Sequence, residues 1–247
     1  MYSTITCAHS ANINWLNGDD HDFKMDSAVD VWQISITSNI LAVNDFLELL
    51  GADERTRANR YYQQKDRERF IISRGALRIL LAKYLKTPAA DIVFEIGVNK
   101  KPFVKNTNGT ELHYNTSHSG DYILIAIAEL PVGVDVENME PLFPYQDILE
   151  HSFNPDEMAY INQSGTPLET FYTLWTRKEA LLKATAKGID DAMRLVPCID
   201  GEHIVGSSII QSNKNWFVNS FDIDTNYTGS IATLTMNIKF RTFAPMI

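Results

Sequence analysis

The sequence predicts an α+β protein with two similar α/β halves, related by pseudo-two-fold symmetry, each a small sheet packed on a long helix. The order strand, helix, strand occurs once before residue 130 and again after it. Helical spacing of apolar residues is present within 66–85 and 168–187, and strand-like segments flank both stretches. We expect an N-terminal half over residues 1–131, a C-terminal half over 132–247, and an active site at their junction.

In the N-terminal half, residues 29–36 alternate apolar and polar side chains as a strand does, and residues 44–50 have helical spacing. From residue 66 the apolar positions fit a long amphipathic helix, which Thr87-Pro88 ends, because proline cannot continue a helix. This segment is therefore predicted to form the long helix of the first half.

Loops, strands and a second long helix are predicted in the rest of the chain. Residues 106–109 (NTNG) are expected to form a loop, and residues 115–121 a polar loop that runs into the apolar strand 122–128. The strand of residues 133–137 and the helix of 168–187, which ends at Gly188, belong to the second half. The remaining strands are predicted within 204–210, 216–223 and 230–240.

Composition limits the class of protein. The 247 residues carry a net charge of −9 and are 45% hydrophobic, which is ordinary for a soluble globular protein. The negative charge argues against a general nucleic-acid binder. The sequence opens without a basic stretch followed by an apolar run, and no apolar stretch approaches the ~18 residues of a membrane span. Cys7 and Cys198 form no disulfide framework, so we expect a cytoplasmic protein.

Positive charge is concentrated between Arg55 and Arg78, within what is otherwise an acidic protein. The basic residues are Arg55, Arg57, Arg60, Lys65, Arg67, Arg69, Arg74 and Arg78, and the acids are Asp66 and Glu68. A solvated helix face would explain such a pattern. We favour an anion-binding wall, because the acidic motifs described next call for a phosphate substrate.

The first of these motifs is Gly-Val-Asp-Val-Glu at residues 133–137. Val134 and Val136 alternate with the acids, which predicts a strand. A period of two then places Asp135 and Glu137 on one face, as in a paired carboxylate site. Taken alone, the two acids could equally form a solvated strand face.

The second motif, WTRKEALLK at residues 175–183, predicts a helix. Four-residue spacing places Trp175, Glu179 and Lys183 on one face. Three carboxylates from the two motifs, beside a lysine, would form a hard-cation site next to a phosphate-binding cation. Oxygen ligands of this kind suit Mg²⁺, which usually adds waters and substrate phosphates to a few carboxylates.

The two motifs together resemble the signatures G-[IV]-D-[IV]-E and W-[ST]-x-K-E-A-x-x-K of 4′-phosphopantetheinyl transferases of the surfactin-synthetase-activating (Sfp) type. Both are present without a substitution and at the family's spacing. Weaker matches are Lys101-Pro102 and the Asn-x-Ser-His-Ser of residues 115–119. The resemblance extends from about Arg55 to Gly188.

The resemblance implies an enzyme, a holo-[acyl-carrier-protein] synthase, that uses coenzyme A as co-substrate. Such enzymes transfer its 4′-phosphopantetheine arm to a serine of an acyl-, peptidyl- or polyketide-carrier protein and release 3′,5′-ADP. Asp135, Glu137 and Glu179 correspond to the family's Mg²⁺ ligands, and Glu179 also to the proposed general base. Lys183 corresponds to the lysine that contacts the pyrophosphate, so the resemblance implies that Glu179 and Lys183 are catalytic.

The resemblance also implies a set of coenzyme A contacts: Arg57, Arg69, Lys101, Ser117, His118 and Lys183. Within this set, His118 is expected near the 3′-phosphate and Lys101 near the adenosine. At one position where some members carry a cation, this chain has Glu54. Outside this context, His118 would be interpreted as an ordinary hydrogen-bonded loop histidine.

Two other functions use the same residues. A Mg²⁺-dependent phosphohydrolase would use the carboxylates with water as acceptor, and a non-catalytic module would only bind coenzyme A. A Ser-His hydrolase is disfavoured, because the sequence has no G-x-S-x-G motif. Since the chain is long enough to hold both halves of the site, we expect a monomer.

Overall fold

The computed structural model describes residues 1–11, 13–24, 26–105, 111–188 and 190–243. Its α-helices are α1 Ile36–Asn39, α2 Val43–Leu49, α3 Ala52–Ala58, α4 Gln64–Leu85, α5 Leu149–Ser152, α6 Pro155–Gln163, α7 Pro167–Thr185 and α8 Ser207–Ile210. Its strands are β1 Tyr2–Ser10, β2 Trp15–Asn17, β3 Val29–Ser35, β4 Phe94–Ile96, β5 Pro102–Val104, β6 His113–Ser119, β7 Tyr122–Ala128, β8 Gly133–Asn138, β9 Gly201–Gly206, β10 Trp216–Asp224, β11 Tyr227–Thr233 and β12 Ile238–Thr242. None of the helices in these ranges is long and apolar enough to cross a membrane.

Most of the strands form two sheets of five. The first has the order β2-β12-β3-β7-β6, the second has the order β8-β11-β10-β1-β9, and β4 pairs separately with β5. Both sheets contain three antiparallel strands arranged alike, β3-β7-β6 and β8-β11-β10. In each trio a long helix, α4 or α7, follows the first strand along the chain. This arrangement confirms the predicted pair of similar α/β halves.

Each sheet also contains a strand from the other end of the chain. The N-terminal β1 pairs in parallel with β10 of the second sheet, and the C-terminal β12 pairs in parallel with β3 of the first. The division between residues 131 and 132 therefore stays a prediction, and two strands cross it. Neither crossing had a signal in the local sequence pattern.

The two sheets pack face to face, and the long helices cover their outer faces. Strand β7 shows this layering: Ile123, Ile125 and Ile127 belong to the core beneath α4, whereas Leu124 and Ala126 belong to the core between the sheets. A strand that is buried on both faces has a continuous apolar sequence instead of an alternating one. The apolar run of residues 122–128 follows from this position.

The prediction of a polar loop over residues 115–121 is wrong. Strand β6 occupies most of this segment, and the chain turns back into β7 through Gly120, which has a φ of 52°. A polar strand is stable here because β6 is the edge of its sheet, where its side chains meet the other half of the protein. The loop predicted at residues 106–109 lies outside the described residues.

Helix α7 lies directly against β8. A Cβ atom on Gly133 would lie 2.1 Å from the carbonyl oxygen of Ala180 and 2.4 Å from the amide nitrogen of Ala184. Only a residue without a side chain permits this approach of strand and helix backbones. The glycine of the first motif therefore positions the helix that carries the second motif.

A buried ion pair holds α7 against α6. Lys178 Nζ donates to Glu157 Oε2 at 2.7 Å, and both side chains are at most 1% exposed. Lys178 also donates to the carbonyls of Met193 and Val196. Glu157 itself closes the capping box of α6 with Asn154. Lys178 thus anchors the site helix in the interior.

We expect Gly133→Ala to lower the free energy of unfolding by roughly 1–3 kcal/mol, the usual cost of overpacking. The added methyl group meets backbone atoms of α7, which cannot rotate away. Urea unfolding measures the change. Gly165→Ala is the control, because a Cβ there meets no atom within 4 Å. Unchanged stability of the Gly133→Ala protein would contradict the close approach.

Lys178→Met should lower the free energy of unfolding by about 3–5 kcal/mol, because it leaves the Glu157 carboxylate buried without its cation. Adding Glu157→Gln should recover part of this loss, since a neutral amide is cheaper to bury. Urea unfolding of both variants tests the pair. A loss no larger than that of an exposed ion pair, about 0–1 kcal/mol, would show that Lys178 is not an anchor.

Candidate active site

The acidic residues of the two motifs meet where the halves join. Lys183 Nζ, on α7, donates to Asp135 Oδ1, on β8, at 2.6 Å and lies 3.6 Å from Glu179 Oε2. Glu137 is two residues further along β8, on the same face as Asp135. The structure therefore brings together the four residues predicted for the metal and the pyrophosphate.

Strand β6 of the first half forms another side of this cluster. Ser117 Oγ donates to Asp135 Oδ1 at 2.8 Å and accepts from Lys183 Nζ at 3.1 Å. Ser119 Oγ donates to Glu137 Oε2 at 2.8 Å. The prediction did not include Ser119, because residues 115–119 are polar at every position and contain no alternation that would indicate a strand.

Burial controls the protonation of the cluster. Burial raises the pKa of Asp135 although Lys183 opposes it, and burial, followed by the charge of Asp135, raises the pKa of Glu179. The same two causes raise the pKa of Glu137 to about 7. For Lys183 burial opposes the charged form, but Asp135 and Glu179 outweigh it and raise its pKa. Three carboxyl groups thus share one ammonium, and an additional cation would be favourable here.

The donor atoms fit Mg²⁺. Asp135 Oδ2 is buried and has no hydrogen-bond partner in the described part of the chain, which is costly for a carboxylate oxygen. No three His, Cys, Asp or Glu side chains among the described residues are already arranged as a metal cage; the ammonium of Lys183 lies close to Asp135 and Glu179 instead. Mg²⁺ needs only one or two protein carboxylates when water and phosphate oxygens complete its shell.

Three of the predicted coenzyme A contacts, Arg57, Arg69 and His118, lie outside the acidic cluster. His118 alternates with Ser117 and so projects from the opposite face of β6, where it is exposed. Partial desolvation and then the Arg69 guanidinium lower the pKa of its imidazole. The Arg57 guanidinium stacks 5.0 Å from the ring centre of Phe70, next to Arg69 in sequence. Arg69 thus acts on His118 through its charge while it pairs with Asp66 at 2.9 Å, and Arg57 packs on the residue that follows Arg69.

Part of the basic segment has a structural role. Glu54 accepts from Arg74 Nη2 at 2.5 Å and from Arg78 Nε at 2.7 Å. Burial opposes ionisation of Glu54, yet the two guanidinium groups and the Gly51 amide lower its pKa. Arg55 donates to two backbone carbonyls. The acid at position 54 thus neutralises two arginines and does not interfere with Arg57 or Arg69.

Lys101 lies at the C-terminal end of α7 and not among the carboxylates. Its Nζ donates to the carbonyl oxygens of Lys183, Val132 and Ala184 at 2.7, 3.1 and 3.1 Å. A cation at a helix C-terminus is favourable. Lys101 also lines an open cavity of about 280 Å³ together with Pro102 and other residues. Its observed contacts are structural, and a role toward adenosine would come from this cavity.

A larger cavity, about 790 Å³, lies elsewhere on the second half and is lined by His9, Arg177 and Asp200 among others. It contains none of the predicted site residues. Arg177 is 3% exposed and donates to Ser220 Oγ, to the Cys198 carbonyl and to Asp200. Arg177 of the second motif, like Lys178, is therefore part of the packing of α7.

Comparison with known proteins agrees with this geometry. The family model described as 4′-phosphopantetheinyl transferase, N-terminal, matches residues 37–130. The model of the 4′-phosphopantetheinyl transferase superfamily matches residues 131–232. The two matched segments meet directly before β8, and together they contain every residue of the acidic cluster.

Individual relatives carry the same name. The 4′-phosphopantetheinyl transferase HetI of Nostoc sp. is 30% identical over 179 residues, which cover 71% of this chain and 76% of that protein. The 4′-phosphopantetheinyl transferase Sfp of Bacillus subtilis is 24% identical over 187 residues, covering 74% and 81%. A Synechocystis protein that has this name provisionally is 37% identical, but the match covers only 60% of this chain and 61% of that protein. The chain belongs to the 4′-phosphopantetheinyl transferase family, whose members are transferase enzymes.

Proposed function

We propose that this protein transfers the 4′-phosphopantetheine arm of coenzyme A to a serine of an acyl-, peptidyl- or polyketide-carrier protein and releases 3′,5′-ADP. The observation that carries the proposal is the cluster of Asp135, Glu137, Glu179 and Lys183 at the junction of the two halves. The family membership supplies the reaction class, and the cluster supplies the groups which that reaction needs.

In this reaction the serine oxygen attacks the β-phosphorus of the pyrophosphate, and the bond to the oxygen of 3′,5′-ADP breaks. Glu179 is proposed to accept the serine proton; burial raises its pKa, which makes it a stronger base than an exposed glutamate. Lys183 is proposed to donate to a pyrophosphate oxygen, an interaction between charged groups that is stronger than a neutral hydrogen bond.

Asp135, Glu137 and Glu179 are proposed to bind Mg²⁺. When bound, the ion would neutralise negative charge on the pyrophosphate oxygens. The proposed contacts to the rest of coenzyme A are Arg57, Arg69, Lys101, Ser117 and His118. A cytoplasmic location and a monomeric state remain predictions.

The deciding experiment incubates the full chain with Mg²⁺, coenzyme A and apo carrier proteins from fatty-acid, polyketide and non-ribosomal peptide synthesis. Intact-mass spectrometry then weighs each carrier. A Mg²⁺-dependent gain of one phosphopantetheine supports the transferase. Cleavage of coenzyme A without a gain would favour the phosphohydrolase, and binding without cleavage would favour a coenzyme A-binding module.

We expect Glu179→Gln to lower the transfer rate by ~10²–10⁴-fold, the usual contribution of a general base, while coenzyme A still binds. Initial-rate assays measure the transfer rate, and calorimetric titration measures the binding of coenzyme A. Glu169→Gln, at an exposed position of the same helix, is the matched control. Near-normal transfer would remove Glu179 from the mechanism, and loss of the folded state would give it a structural role.

Changing Arg57 and Arg69 together to alanine should raise the KM for coenzyme A more than the KM for the carrier. Each hydrogen bond to a charged group contributes about 1.5–3 kcal/mol, so the combined effect should exceed tenfold. Steady-state kinetics with each substrate varied in turn provides the test. The control changes two exposed basic residues elsewhere, Lys24 and Arg194, to alanine. An unchanged KM for coenzyme A would restore the solvated-face interpretation of the basic segment.

A further inference from the structure

Strands β6 and β8 are edge strands of different sheets, and side chains of β6 join them. Asn115 Oδ1 accepts the N–H of Val134 at 2.9 Å. A spacing of two places Asn115, Ser117 and Ser119 on the same face of β6. The junction of the two halves is therefore a row of polar side chains against the strand that carries the acids.

Each serine of this row holds one acid, but the two acids have different further partners. Ser117 Oγ and Lys183 Nζ both donate to Asp135 Oδ1, at 2.8 and 2.6 Å. Asp135 is thus held by a charged group as well as by a hydroxyl. In the part of the chain that the structure describes, Glu137 receives its side-chain hydrogen bond from Ser119, at 2.8 Å. The orientation of Glu137 therefore depends more strongly on its serine.

The direction of the Ser119 hydroxyl is set by the backbone. Its oxygen accepts the N–H of Asn138, the residue after Glu137, at 3.0 Å. With this acceptor position in use, the hydroxyl proton is directed at Glu137 Oε2. The strand that carries the acid therefore also aligns the group that orients it.

We propose that Ser119 is a positioning residue, whose hydroxyl orients the Glu137 carboxylate so that Glu137 and Asp135 present oxygen atoms to one divalent cation. The inference rests on the proposed function, because the cation belongs to the proposed site. Hydrogen bonds that orient metal ligands commonly contribute 10–100-fold to metal affinity. In this proposal Ser119 acts through Glu137.

The test titrates Mn²⁺, as a probe for the divalent cation, into the full chain with coenzyme A, and measures free Mn²⁺ by electron paramagnetic resonance. Ser119→Ala should raise the Kd for Mn²⁺ about 10–100-fold. Ser119→Thr keeps the hydroxyl and should restore an affinity close to that of the wild type. Ser10→Ala is the control, because Ser10 Oγ donates to Asn219 across two strands of the second sheet at 3.1 Å. Its Kd should be unchanged.

Thermal unfolding of the same variants separates positioning from stability. If Ser119 only joined the halves, Ser119→Ala would lower Tm with an unchanged Kd for Mn²⁺, and the proposal would be overturned. A wild-type protein that binds no Mn²⁺ would overturn the metal assignment of the proposed function as well. Equal Mn²⁺ affinity of the wild type and Ser119→Ala would overturn only the role of Ser119.

Discussion

The contact between helix α7 and strand β8 is the constraint on which the candidate active site depends. Gly133 allows the two backbones to approach, and the buried pair of Lys178 and Glu157 holds the helix from α6. At the site, Lys183 joins the helix to Asp135 at 2.6 Å. A small displacement of α7 would separate the acids of the two motifs, since they lie on different elements and meet only through this packing.

The buried acidic cluster lowers the stability of the fold but provides charged groups for the proposed reaction. Burial favours the neutral forms of its three carboxyl groups, and Lys183 supplies one positive charge. Hydrophobic residues at such positions often give a more stable protein than buried charges do. A site with surplus negative charge, in which Asp135 Oδ2 has no hydrogen-bond partner among the described residues, would instead gain stability from a bound cation. This is the physical basis for proposing a metal at residues that do not form a complete cage by themselves.

The nine-residue helix motif serves two purposes that its sequence does not distinguish. Glu179 and Lys183 face the junction, whereas Arg177 and Lys178 lie in the interior and bind carbonyl groups and acids. The basic segment divides in the same way, because Arg74 and Arg78 are bound to Glu54 and the neighbourhood of His118 retains Arg69. In both segments some charged residues position the elements, and others, among them Arg69 with its ion pair to Asp66, are proposed to bind a ligand.

The sequence by itself determined the two long helices and the paired acids, because each depends on a local period of 3.6 or 2 residues. It also determined the strand of residues 122–128, because its apolar run is continuous. It also carried the two motifs that identify the family. The tertiary structure decided that residues 113–119 form a strand, that β1 and β12 join the sheets of the opposite halves, and that Lys101 caps α7. It also placed Ser119 against Glu137. These features depend on pairing between residues far apart in the chain, and a local pattern contains no information about which distant strand or carbonyl will be the partner.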